Sequence, residues 1–333
     1  MPVTGVQRTS RYVPEAQPEP ARPRPPSPQS RAESALAAAV PRPGSRIPSE
    51  AALSSRLNAF MKASAGPYAV RGGEVVVTPQ FRMEGGIGKK NLPGIEKAVG
   101  PAAWRQIAND AAWATTGKGS PEAIRKTTQA LIDSPEFRKY SHLDPETAVR
   151  KLQWDFGIGV DCSGYVHQAF LFARGSGNGS AASERFGLGK VEQSGLQNLP
   201  GPLFRRVEPG QVRAGDVLVL VNGDDGTGHK VIVHGRNTAP PGTELHARAV
   251  ERLGGGRDTK IHIITVDSSW GAGHGDDPHR GGVKRAEWVY DETTKKWGTL
   301  HRLPNGGLLV HPSSKAGPYD HDLQGAFRPR AES

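Results

Sequence analysis

The chain predicts an α+β fold, with a helical first half packed on an antiparallel sheet built from the second half. Two observations carry that expectation. Apolar residues at helical spacing dominate from Ser49 to Arg174, and short apolar runs separated by turn residues dominate from Asp216 onward. A third observation sets the start of the fold. Of the 28 prolines, 11 fall in the first 50 residues, in segments such as Pro23-Arg24-Pro25-Pro26 that cannot build a core. Residues 1–48 therefore read as a disordered, semi-rigid tail, a tether or a targeting arm.

Each element follows from local chemistry. Ser49-Glu50-Ala51-Ala52 opens a short helix with Leu53, Leu57, Phe60 and Met61 on one side. Val75-Val76-Val77 reads as a short strand. Helices are expected over about 94–115, 121–139 and 145–155. Ser120-Pro121-Glu122 and Asp144-Pro145-Glu146 each place a cap and then a proline at the first helical position. A further helix starts at Cys162. There Cys162, Val166, Ala169, Phe170 and Ala173 share one face, and Arg174-Gly175 supplies a stop. Strands are expected at 216–221, 229–234, 260–267, 283–290 and 297–303, the last two as a hairpin. The chain divides into the tail (1–48), a helical accessory region (49–140) and a region carrying the chemistry (141–333).

Composition limits the function. Net charge is +10 and the pI about 9.8, which suits an acidic partner such as a cell-wall polymer. No zinc-finger spacing or RNA-binding aromatic motif points to specific nucleic-acid recognition. No run approaches the ~18 apolar residues of a membrane span. Met1 to Ser10 has no apolar core behind a basic start, so an ordinary secretory signal is not expected. Gly85-Gly86-Ile87-Gly88-Lys89-Lys90 lacks the spacing of a nucleotide loop and reads as a turn. Gly273-His274-Gly275-Asp276-Asp277-Pro278-His279 matches no common metal site and reads as a loop beside the cleft, so neither metal nor cofactor is expected.

Cys162 is the single cysteine of the 333 residues, which excludes an internal disulfide. Its place in the first turn of a helix favours a thiolate. A cysteine nucleophile needs a base within reach and a third group to orient that base. His229 and His234 share a strand but differ by five, so only one can face the thiol. His229 opens its strand next to a glycine-rich turn, where a side chain sits at the sheet rim. Asp267 ends the next strand, also at a rim.

The motifs Asp161-Cys162-Ser163-Gly164-Tyr165-Val166, then Ala214-Gly215-Asp216, then Gly228-His229-Lys230-Val231-Ile232-Val233 resemble the NlpC/P60 branch of papain-like cysteine peptidases. The resemblance covers about residues 150–270. It implies a papain-like fold and cleavage of peptide or amide bonds in bacterial cell-wall stem peptides. By position it makes Cys162 the nucleophile, His229 the base and Asp267 the orienting residue, with Asn237 as a substitute for the last. Asp161 and Ser163 would line the substrate cleft. Trp154-Asp155-Phe156-Gly157 stands where the family often has a Tyr-x-Trp-Gly-Gly-like stretch, which makes Trp154 a further cleft residue and rests the oxyanion site on backbone N–H groups.

The expected function is thus a peptidoglycan amidase or peptidase. Its delivery by a specialised secretion machine to the periplasm or extracellular space, as an antibacterial effector with a secretion-system or immunity-protein partner, fits a Pro-rich tail without an ordinary signal. Failing such delivery, a cytoplasmic place is expected. The alternatives are a papain-like acyltransferase or deamidase on another substrate, and a binding module on an inactive peptidase fold.

Overall fold

Ser49 starts the first helix, α1 (Glu50–Ser64), by accepting a hydrogen bond from the Ala52 N–H at 3.2 Å. The computed structural model describes residues 48–81, 91–175, 203–221, 228–271, 281–318 and 321–330. The tail, the Gly85–Lys90 turn and the His274–His279 loop lie outside these residues. A small antiparallel hairpin follows α1, β1 (Gly66–Val70) with β2 (Gly73–Val77).

Among the described residues, three more α-helices precede Cys162: α2 (Leu92–Ala114), α3 (Pro121–Ile132) and α4 (Pro145–Asp155). Two depart from expectation for identifiable reasons. In α2 the helix breaks at Gly100 (φ 78°, ψ 167°), because the following Pro101 disfavours helical geometry before it and only glycine accepts that φ cheaply. The helix expected over 121–139 stops at Ile132. Ser134 turns extended before Pro135 and caps a separate 3₁₀ turn, Pro135–Tyr140.

The helix α5 (Cys162–Ala173) ends at Arg174 and Gly175, where the sequence places its stop. It differs from expectation in being buried all round, with every one of its 12 residues buried. One side rests on the sheet and another on α1. A third is covered by the 117–119 backbone, whose Lys118 and Gly119 carbonyls accept from the Gln168 side chain.

The described strands after α5 form one antiparallel sheet: β3 (Phe204–Val207), β4 (Val217–Val221), β5 (Gly228–Ala239), β6 (Ile261–Trp270), β7 (Gly282–Asp291), β8 (Trp297–Arg302), β9 (Leu308–Pro312) and β10 (Asp322–Pro329). Their order is β3-β10-β4-β5-β6-β7-β8-β9. The architecture is therefore α+β with an antiparallel sheet. A helix α6 (Glu244–Leu253) occupies the excursion between β5 and β6, capped by Thr243 and ended by Gly254 in the left-handed region.

Each sheet face has its own core. Val217, Val219, Ile232 and Val283 join α1–α5 in one apolar cluster. The region 49–140, expected as an accessory part, contributes Leu53, Phe60, Tyr68, Ile95, Ile124 and Leu131 to that same core. The opposite face buries Leu218, Leu220, Val231, Val233, Ile264, Val266, Trp288 and Trp297 against one another. The sheet must curl for residues from so many strands to meet. This two-faced burial decides which side chains can reach Cys162.

Candidate active site

The backbone before α5 is pinned from several directions. The Val160 N–H donates to the Gln80 carbonyl (3.0 Å), the Asp161 N–H donates to the Gly117 carbonyl (2.8 Å), and Ser269 Oγ on β6 donates to the Val160 carbonyl (2.6 Å). Asp161 then caps α5, its Oδ1 accepting from the Gly164 N–H at 2.6 Å. A Cβ on Gly164 would lie 2.3 Å from the Gly117 carbonyl oxygen, so the glycine of Asp161-Cys162-Ser163-Gly164 is required by close approach of the 117–118 backbone.

Asp161 is held by cation and hydroxyl as well. Lys118 Nζ lies 2.9 Å from its Oδ1 and 2.7 Å from its Oδ2, and Ser163 Oγ donates to Oδ1 at 2.9 Å. Lys118 also donates to Ser163 Oγ. Asp161 and Ser163 thus lie beside Cys162, where the sequence puts them, with polar atoms bound to the cap and to Lys118.

Cys162 is 8% exposed. Burial pushes its thiol up from the usual cysteine value, and the Asp161 charge adds to that. Opposing both are a hydrogen bond from the Lys230 backbone and the positive charges of Lys118 and Lys230. Lys230 is fully buried. Burial pulls its ammonium down to about 8, while Cys162 and Asp161 hold it up and Lys118 pushes it down. Its carbonyl accepts from Ser268 Oγ at 2.6 Å, which fixes its place on β5.

Lys230 occupies the position expected of His229, and strand alternation is the reason. Lys230 pairs with Val219 and Ile232 with Val217, and the three apolar residues of these pairs belong to the core under α5. His229 pairs with Leu220 and Val231 with Leu218, on the opposite face. The expected base is therefore turned away from the thiol. His229 stacks on Trp270 with ring centroids 4.3 Å apart, and burial lowers it to about 3, with His321 contributing. Those two rings line a cleft with Leu220, Lys284, Ala286 and His321, on the far side of the sheet from Cys162.

Asp267 does lie on the α5 face, directly opposite Ile232, but it serves another cluster. Fully buried, it accepts from Arg285 Nε at 2.7 Å and Nη2 at 3.0 Å. His234 Nδ1 lies 3.4 Å from its Oδ2, and His234 Nε2 lies 3.0 Å from Ser54 Oγ on α1. Ser54, His234 and Asp267 thus have the layout of a hydrolase triad. Arg285 Nη2, however, lies 3.0 Å from His234 Nδ1. The same guanidinium donates to both Asp267 oxygens and to Asn58 Oδ1 on α1, so the carboxylate is engaged by Arg285 and not given to the imidazole alone. The group is a latch between α1 and the sheet. His234 stands four residues from Lys230, about 13 Å along the strand, so it does not supply the missing imidazole either. Asp267 accordingly orients Arg285 and His234, and Asn237, exposed on the far part of β5, is not its substitute at the thiol.

Trp154 is half-buried on α4, which packs against β2 and α3. The Asp216 of the Gly215-Asp216 motif is likewise engaged, accepting two hydrogen bonds from Arg328 on β10 at 2.9 and 2.7 Å. Gly215 itself has φ 85°, and its carbonyl accepts from Arg174 at 3.1 Å, tying the end of α5 to the start of β4.

Three residues near the thiol escape a motif search: Lys118, Lys230 and His167. His167 is 2% exposed and lies about 140° round α5 from Cys162, five residues on. Burial lowers it to about 4, with Lys230 and Lys118 acting in the same direction, so it is neutral at pH 7. One signal did exist for Lys230, a charged residue inside a run of apolar strand residues. Among the described residues, no group of three or more His, Cys, Asp or Glu side chains gathers to hold a metal. No helix of the described residues is long and apolar enough to cross a membrane. Comparison with family models, with curated proteins and with solved structures finds no match for this chain.

Proposed function

We propose that this protein is a papain-like cysteine hydrolase, related to the NlpC/P60 type, that cleaves peptide or amide bonds of peptidoglycan stem peptides through Cys162. One observation carries the reading. The only thiol stands at the first position of a capped helix, under a backbone hydrogen bond from the facing strand and between two lysines. Helix start, backbone donor and cations all favour the thiolate as it forms. The thiolate attacks an amide carbonyl and expels the amine, and water then releases the acyl group. A net charge of +10 suits an acidic polymer substrate, and delivery as an antibacterial effector remains part of the reading.

Purified peptidoglycan digested with wild type and with Cys162→Ala, then compared by mass spectrometry, tests it. Stem-peptide fragments released by wild type alone support the proposal. No release by wild type, or equal release by both, overturns it.

A second reading is a binding module on an inactive peptidase fold. The opposite-facing His229 favours it, together with the 8% exposure of Cys162. Its signature is retention of peptidoglycan by both proteins without new fragments.

A further inference from the structure

We propose that Lys230 is the general base and acid of the Cys162 reaction, so that the site works as a cysteine–lysine pair in place of a cysteine–histidine pair. The inference rests on the reading of Cys162 as a nucleophile and concerns which group moves its proton. The argument is geometric. Strand β5 presents Lys230 to α5 and turns His229 to the other core, and no relaxation short of a one-residue slip in register exchanges them. Such a slip would also exchange Val231 and Val233 with Ile232 between two closed cores. The Lys230 backbone hydrogen-bonds the thiol while Ser268 holds its carbonyl, so this residue is fixed at the reacting atom.

The ionisable groups around the pair also fit. Lys118 and Asp161 form an ion pair, and His167 is neutral at pH 7. Beside that ion pair the thiol and the Lys230 amine act on each other. With Lys230 drawn down to about 8 by burial, an appreciable fraction is neutral near pH 7 and can accept a proton.

The steps balance. The neutral Lys230 amine takes the thiol proton, giving thiolate and ammonium. A sulfur–carbon bond forms as the carbonyl electron pair moves to oxygen. The carbon–nitrogen bond then breaks, and the ammonium proton goes to the leaving amine. Water adds to the thioester carbonyl as Lys230 takes its proton. The sulfur–carbon bond breaks, and the thiolate recovers a proton from Lys230.

Alkylation of Cys162 by iodoacetamide across pH, in the full chain, is paired with peptidoglycan turnover. In wild type turnover should rise through about pH 8, as the Lys230 amine loses its proton. Lys230→Met should push alkylation to higher pH and lower turnover by about 100-fold or more. Lys230→Arg keeps the charge but accepts no proton, so it should retain alkylation near neutral pH yet lose turnover. His229→Gln should change neither.

Full turnover in Lys230→Arg would reduce Lys230 to a fixed charge and overturn the proposal. So would an unshifted alkylation profile in Lys230→Met, or loss of alkylation in His229→Gln. Melting curves identify any variant that does not fold, and the wild-type profile then decides alone, since a rise centred near 6.5 belongs to an imidazole. Turnover surviving in Cys162→Ala would instead remove the underlying reading.

Discussion

Two buried polar clusters sit on the same face of the sheet, and they differ in how their charge is matched. Around His234, each group is closed by another. Asp267 takes both of its hydrogen bonds from Arg285, and His234 is bound at both ring nitrogens. Around Cys162, Asp161 is closed by Lys118, while the buried Lys230 stands beside a thiol whose proton must move. The matched cluster resembles a catalytic triad and fixes structure. The one around Cys162 resembles no familiar triad and sets a buried amine beside a buried thiol. Resemblance of residue types is thus a poorer guide to chemistry than the balance of protons and charges.

The largest effect that would break this comparison lies in the matched cluster. Asp267→Ala removes a fully buried carboxylate and its two charge-assisted hydrogen bonds from the solvent-reaching Arg285 and should cost about 3 kcal/mol, read by urea denaturation. If Asp267 is only part of the latch, the pH profile of Cys162 alkylation stays put in the folded fraction. A shifted profile would return Asp267 to the thiol site.

Acid stability comes next. His167 is lowered to about 4 in the folded protein, below its unfolded value near 6.5. Its contribution is complete above 6.5 and is lost as pH falls toward 4, since the unfolded chain then binds the proton first. That window corresponds to roughly 3 kcal/mol. His167→Gln should move the acid-unfolding midpoint to lower pH. An unchanged midpoint would show that the imidazole is solvated or already paired as the cation.

Lys118→Met should give the smallest effect and sharpen the contrast most. It removes one cation from the thiol and leaves Asp161 facing it. Alkylation near pH 7.5 should slow by about tenfold, one unit in thiol proton affinity. Adding Asp161→Asn should recover part of the loss, because it removes the opposing charge as well. If the double variant is no faster than the single, Lys118 acts through the cap geometry and not through charge.

Much of the fold was legible because it rests on local rules. Ser49, Ser120 and Asp144 cap the helices they were expected to cap, and all three accept from the third residue on. The five strands expected after Cys162 overlap β4–β8, and Val75–Val77 falls within β2. Local signals were weaker for β3, β9 and β10, which earn their places through sheet partners. The helix α6 was hidden because Pro240, Pro241 and Gly254–Gly256 bracket it like a loop. In the site, Asp161, Cys162, Ser163 and Gly164 are adjacent in sequence, so their assembly needed only a helix start.

What the sequence determined by itself was the nucleophile's position and a parity. Consecutive strand residues point to opposite faces, so His229 and Lys230 could never both face Cys162. Which of them does was decided by tertiary structure alone. Val231, Ile232 and Val233 make both faces of β5 apolar, and each face is buried in a core of its own. Without a polar side to orient the strand, only the packing of α5 onto the Ile232 face assigns Lys230 to the thiol.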